Sequence, residues 1–138
     1  NNLGLIARIR GELAEAERLH GESLAIFREI GGRGGEAQSL GNLGLIAHAR
    51  GELAEAERLH GESLAIEREI GDRRGEAASL GNLGLIAHAR GELAEAERLY
   101  RDSVRIMNEI GIPLDDWYTE NGYTDPDAEW DFPPGNDG

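Results

Sequence analysis

Apolar residues recur at three- and four-residue spacing along most of the chain. Between positions 53 and 70, Leu53, Ala56, Leu59, His60, Ser63, Leu64, Ile66 and Ile70 share one helical face, with Glu and Arg opposite. Gly71 fits the position just beyond such a helix, and Asp72 can cap the next one. That next helix places Ala77, Leu80, Leu83, Gly84, Ile86 and Ala87 at helical spacing. The break Arg50-Gly51-Glu52 is too short for anything but an antiparallel helical hairpin. No window shows the strict alternation of a half-buried strand, so the pattern predicts an all-α fold.

The pattern repeats. Gly41–His60 recurs as Gly81–Tyr100, differing only at the last position, and Asn2–His20 recurs with Arg8 for His48 and Ile9 for Ala49. The period is 40 residues, and each period predicts one hairpin, with breaks near Gly11, Gly31, Gly51, Gly71 and Gly91. A lone hairpin leaves its apolar face in water, so consecutive hairpins should stack into an α-solenoid. Gly44 and Gly84 fall inside helices, where glycine costs about 1 kcal/mol relative to alanine. A close backbone approach would offset that cost, with Ala56 and Ala96 as the expected small partners.

Leu43-Gly44, Gly51, Ala56, an aromatic-type position at His60 or Tyr100, and a small residue at Ser63 or Ser103 resemble the tetratricopeptide repeat signature. The tryptophan-type position holds Leu40 or Leu80, and the tyrosine after Leu-Gly is Ala47 or Ala87. The period exceeds that family's usual length of about 34; the additional residues fall in the second helix and in the IGDRRGEA connection. This longer variety is similar to the repeats of spindle-orientation adaptors and bacterial signalling proteins. HEAT-type repeats share the period but not the Leu-Gly, Gly, Ala spacing. The resemblance implies about three antiparallel hairpin units in residues 1–110, divided as 1–32, 33–72 and 73–110, with the first unit truncated. It covers the chain up to the point where the composition changes.

Because Asn1 falls inside a predicted helix, the chain reads as a fragment whose natural N-terminus is absent. Beyond Gly111 lie all four prolines, both tryptophans and eight acids with no basic residue. Pro113 can open a short helix and Gly122 can end it. Residues 111–122 therefore read as a capping helix turning Leu114, Trp117 and Tyr118 toward the third hairpin. Residues 123–138 read as an extended or disordered acidic tail, and Tyr123–Pro134, with Trp130 and Phe132, is expected to make an intermolecular contact. Its acids would suit Arg8, Arg50 and Arg90.

Charge narrows the partners. The chain carries 27 acidic against 14 basic residues, all arginine, for a net −13. That balance disfavours nucleic acid and anionic membranes, and there is no apolar run long enough to span a bilayer. The absence of lysine reads as genome or solvent bias ahead of ligand complementarity. Without cysteine there is no thiol catalysis and no thiolate metal site. His20, His48, His60 and His88 do not stand at the i, i+4 spacing of paired ligands, so packing is the simpler reading and no metal is expected. The GNLG elements lie within predicted helices and lack a following GKS or GKT, so they are not phosphate loops. Glu52, Glu55, Glu57 and Glu62 read as a solvated face with Glu55–Arg58 and Arg58–Glu62 pairs. No nucleophile, base and orienting partner occur together. The expectation is a non-enzymatic, cytoplasmic chain without a cofactor.

One stripe differs from the packing face. It comprises Gln38, Gly41, Asn42, Leu45, His48 and Ala49, repeated as Ala78, Gly81, Asn82, Leu85, His88 and Ala89. The resemblance implies that such first-helix residues line a concave groove that receives peptides. Asn2, Leu5, Gln38, Asn42, Leu45, His48, Asn82, Leu85 and His88 are then the candidate groove residues, with Asn2, Asn42 and Asn82 as an amide ladder for an extended backbone. The lysine-rich clamp that some members use for a terminal carboxylate has no counterpart. The expected partner is a protein or peptide. The rival readings are self-association through repeat ends or the aromatic tail, and a sensor arm of a larger signalling ATPase or protease.

Overall fold

The computed structural model describes residues 2–114 and 116–129, with the side chains of Asn2, Asp116 and Trp117 outside that description. The described residues form α1 (Asn2–Ile30), α2 (Arg33–Ala49), α3 (Leu53–Ile70), α4 (Arg73–Ala89), α5 (Leu93–Ile110) and α6 (Asp116–Glu120), with no strand among them. The fold is all-α and built on consecutive helical hairpins. It divides into two compact units, residues 1–66 and 67–138, with α3 running from one into the other.

In the first unit, α2 ends at a left-handed glycine, Gly51 (φ +77°), and the Glu52 amide returns to the Ala47 carbonyl at 2.9 Å. The chain then reverses and α3 lies antiparallel on α2. Ser63 Oγ donates to the Ala37 carbonyl at 2.8 Å, and a Cβ at Gly44 would stand 2.7–2.9 Å from the His60 ring. The close approach expected at Gly44 is real, but its partner is corrected. Ala56 is fully buried, yet the imidazole of His60, one turn further along α3, fills the space that a side chain at 44 would need.

The second unit repeats this hairpin. Gly91 is left-handed (φ +76°), the Glu92 amide donates to the Ala87 carbonyl at 2.9 Å, and Ser103 Oγ donates to the Ala77 carbonyl at 2.8 Å. Here Tyr100 covers Gly84, where a Cβ would meet the ring at 2.5 Å. Gly71 (φ +74°) ends α3, and Asp72 caps α4 by accepting from the Gly75 amide at 3.0 Å. Buried Glu76, in the first turn of α4, takes Arg73 at 2.7 Å and Arg68 at 3.1 Å, so a carboxylate that would be costly alone is clamped by two guanidiniums.

Two expectations are corrected. The break at Gly11 does not occur: α1 is one helix of 29 residues, and Gly11 is not among the left-handed glycines. Residues 3–10 are exposed, so no buried arm offsets the loss of i→i−4 hydrogen bonds that a turn would bring. A helix passing through glycine loses only about 1 kcal/mol relative to alanine, and it keeps its ladder. The tail expectation also changes. Tyr123 is buried and stacks on Tyr100 (centroids 5.5 Å, 21°), Arg101 Nη1 donates to the Pro126 carbonyl at 2.6 Å, and Arg105 reaches Asp127 at 3.3 Å. Positions 123–127 therefore dock on α5 of their own chain, because Tyr100 offers an aromatic face and α5 offers two arginines. Asp127 takes Arg105 in place of the arginines expected from the sequence. Trp130, Phe132, Pro133 and Pro134 lie outside the described residues, as does the Trp117 side chain.

Candidate peptide-binding site

The helical register that buries Leu40, Ile46 and Ala47 turns Gln38, Asn42, Leu45 and His48 of α2 away from the core. Gln38 is exposed, Asn42 and His48 are half-buried, and Leu45 is 50% exposed. On α4 the equivalent Ala78 is exposed, Asn82 and His88 are half-buried, and Leu85 is 39% exposed. Leu5 of α1 is 53% exposed. Asn2 lies in α1, but its side chain stands outside the description.

In the second unit this stripe forms one wall of a pocket. Ala78, Gly81, Asn82 and Leu85 of α4 face Tyr100 and Met107 of α5 and Tyr118 of α6 around about 310 Å³. Tyr118 is buried, packs edge-on to Tyr100 (6.1 Å, 85°) and has its hydroxyl 3.3 Å from Ser103 Oγ. A Cβ at Gly81 would stand 2.6 Å from the Tyr118 hydroxyl, which would have to shift to admit it. Burial first, then the neighbouring Tyr118 and Tyr123, push the Tyr100 phenol well above its ordinary range. The pocket wall is therefore neutral at physiological pH. Its chemistry suits an apolar side chain, with the Asn82 amide at its edge for a backbone group.

Ala78, Gly81, Asn82 and Leu85 belong to the stripe read from the sequence, and Met107 does not. The signal was present: its position holds Phe27, Glu67 and Met107 in successive, otherwise near-identical repeats. The side chain there meets the segment just C-terminal to its own helix. The Phe27 ring covers Gly35, and buried Glu67 accepts from Ser79 Oγ. Met107 borders the pocket that Tyr118 closes.

A second pocket, about 320 Å³, lies in the first unit between α1, α2 and α3. Its floor includes Leu24, Leu43 and Leu59, but its rim is a ring of ions already engaged with one another. Arg50 contacts Glu17, and Arg58 binds Glu55 at 3.0 Å and Glu62 at 2.8 Å, as the sequence spacing predicts for α3. A ligand entering there must displace these pairs. Fully buried His60 is pushed down to about 4 by burial foremost and then by His48, so it packs as neutral imidazole. Among the described residues, no group of three or more His, Asp or Glu is arranged to hold a metal ion. No helix among them is long and apolar enough to cross a membrane.

Among curated proteins, none matches this chain. A family model for the tetratricopeptide repeat matches residues 1–66 and again 35–109. The two overlapping matches cover the glycine turns, the buried alanines and the Gly44–His60 and Gly84–Tyr100 contacts described above. With more than half of its length matched, the chain belongs to the tetratricopeptide repeat family.

Proposed function

We propose that the chain is a non-enzymatic binding segment that receives a peptide along the stripe of α4, anchored in the α4–α5–α6 pocket. Protein–protein interaction and scaffolding are the general role of tetratricopeptide repeats. The observation that carries the finer reading is the pocket itself. Four of its lining residues belong to the stripe, and Leu85 remains 39% exposed beside it. An exposed leucine next to an apolar recess gains on the order of 25 cal/mol for each Å² that a partner covers. Asn82 would hydrogen-bond the partner's backbone, while Met107 adapts to the shape of the anchor. In this reading α6 serves as the terminal cap, with Tyr118 closing one end of the pocket.

A random peptide library displayed on phage and selected against the chain tests this. Selected peptides should share one apolar anchor residue, and their affinity should fall at least tenfold for Leu85→Asp. Selection of no common sequence, or equal binding by Leu85→Asp, would count against the site.

A further inference from the structure

The segments that open α2 and α4 differ at three positions. They read GGRGGEAQSL over residues 31–40 and GDRRGEAASL over residues 71–80. Gly32 becomes Asp72, Gly34 becomes Arg74 and Gln38 becomes Ala78. The fold accounts for Asp72, which caps α4. The other two changes fall on the exposed stripe, since Arg74, Ala78 and Asn82 stand at i, i+4 and i+8 on one face of α4. Ala78 lines the pocket, and Arg74 stands one turn beyond it.

Among the described residues, no hydrogen bond or ion pair engages the exposed Arg74 side chain. Other arginines of the same unit are engaged: Arg73 with Glu76 and Glu109, Arg68 with Glu76, Arg98 with Glu95, and Arg105 with Asp127. As the second residue of α4, Arg74 also stands at the positive end of the helix dipole, where a cation is disfavoured. The carboxylates nearest in sequence are committed elsewhere. Asp72 accepts from the Gly75 amide, and buried Glu76 is clamped by Arg68 and Arg73. An unpaired cation in this position is set to receive an anion from outside the chain.

We infer that the peptide received by the α4 stripe carries a carboxylate about three residues from its apolar anchor, and that Arg74 binds it. Resting on the pocket proposed above, this adds the chemistry of the partner's second contact. The spacing follows from the helix rise. Arg74 precedes Gly81 of the pocket lining by seven residues, about 10 Å along α4. An extended peptide covers about 10 Å in three residues. The net charge of −13 does not forbid an acidic partner. Repulsion from distant charges is screened within about 8 Å at physiological salt, whereas Arg74 acts at contact. A basic residue at the same offset is rejected, which gives the stripe a choice of sequence as well as an anchor.

The phage-displayed library that tests the pocket also tests this inference. Selected peptides should carry Asp or Glu about three positions from the shared apolar anchor. Affinity for such a peptide should fall about fivefold in Arg74→Gly, the upper scale of an exposed ion pair. That variant carries the residue found at the same place in α2, so the helix tolerates it. The peptide's Asn or Gln version should bind parent and Arg74→Gly alike, and Arg74→Glu should prefer its Lys version. A shared anchor without an acidic neighbour overturns the inference and leaves the pocket standing. So does equal binding of the acidic peptide by Arg74→Gly when Leu85→Asp has lost it. Equal binding by Leu85→Asp ends both readings. Self-association in light scattering that Arg74→Gly abolishes would make the acidic tail of a second copy the occupant, and overturns a separate partner.

Discussion

His60 stands where burial and titration meet. Fully enclosed and with its pKa pushed down to about 4, it is held neutral in the folded chain and binds a proton more readily once unfolded. Its folded pKa lies below the ordinary value near 6.5, so its contribution to stability is fully present above that value. The contribution is lost as pH falls from about 6.5 through 4, by an amount on the order of 3 kcal/mol. His60→Tyr, which installs the residue of the following repeat, should flatten the melting temperature across this window relative to the parent. Equal acid sensitivity of variant and parent would remove His60 as the cause. Gly44 is the complementary probe. Because its missing Cβ would stand 2.7–2.9 Å from the imidazole, Gly44→Ala should lower stability by about 1–3 kcal/mol. Most of that loss should be recovered in the His60→Ala background, where the obstruction is gone. A double variant whose losses simply add would place the strain elsewhere.

At the scale of the element, a glycine's effect depends on the turn it occupies. Gly51 is left-handed at +77°, so Gly51→Ala should destabilise by roughly 1–2 kcal/mol. Gly11 carries the same sequence context inside continuous α1 with open space where a Cβ would go, so Gly11→Ala should stabilise by up to about 1 kcal/mol. Chemical denaturation of the two variants measures the contrast, and equal effects would mean that position 11 is also a turn. This pair also marks what was legible in the sequence. The hairpins, the cap at Asp72 and the Arg58 ion pairs follow from spacing alone, since each is a local consequence of periodicity or charge. The continuity of α1 was not legible, because identical local sequence is compatible with turn and helix, and the choice rests on whether a packed arm covers the apolar face. The stacking of Tyr123 on Tyr100 was hidden for a similar reason: it joins positions 23 residues apart through a segment with no periodicity.

For the whole molecule, near-identical repeats place the same residue types on successive first helices, and differences between repeats decide where a partner can enter. Met107 and Tyr118 make the pocket beside α4 apolar and neutral, while the rim of the pocket between α1, α2 and α3 is closed by mutual ion pairs. The exposed surface pairs such as Arg18 with Glu22 contribute little to stability individually and serve mainly solubility in a chain of net charge −13. Entry of a partner at the α4 stripe can be followed residue by residue, in a nuclear magnetic resonance titration of the isotope-labelled chain with a library-selected peptide. The largest shifts should fall on the Asn82 side-chain amide and on the methyl groups of Leu85 and Met107. Shifts confined to Leu24, Leu43 and Leu59, leaving Leu85 and Met107 unmoved, would contradict binding at that stripe.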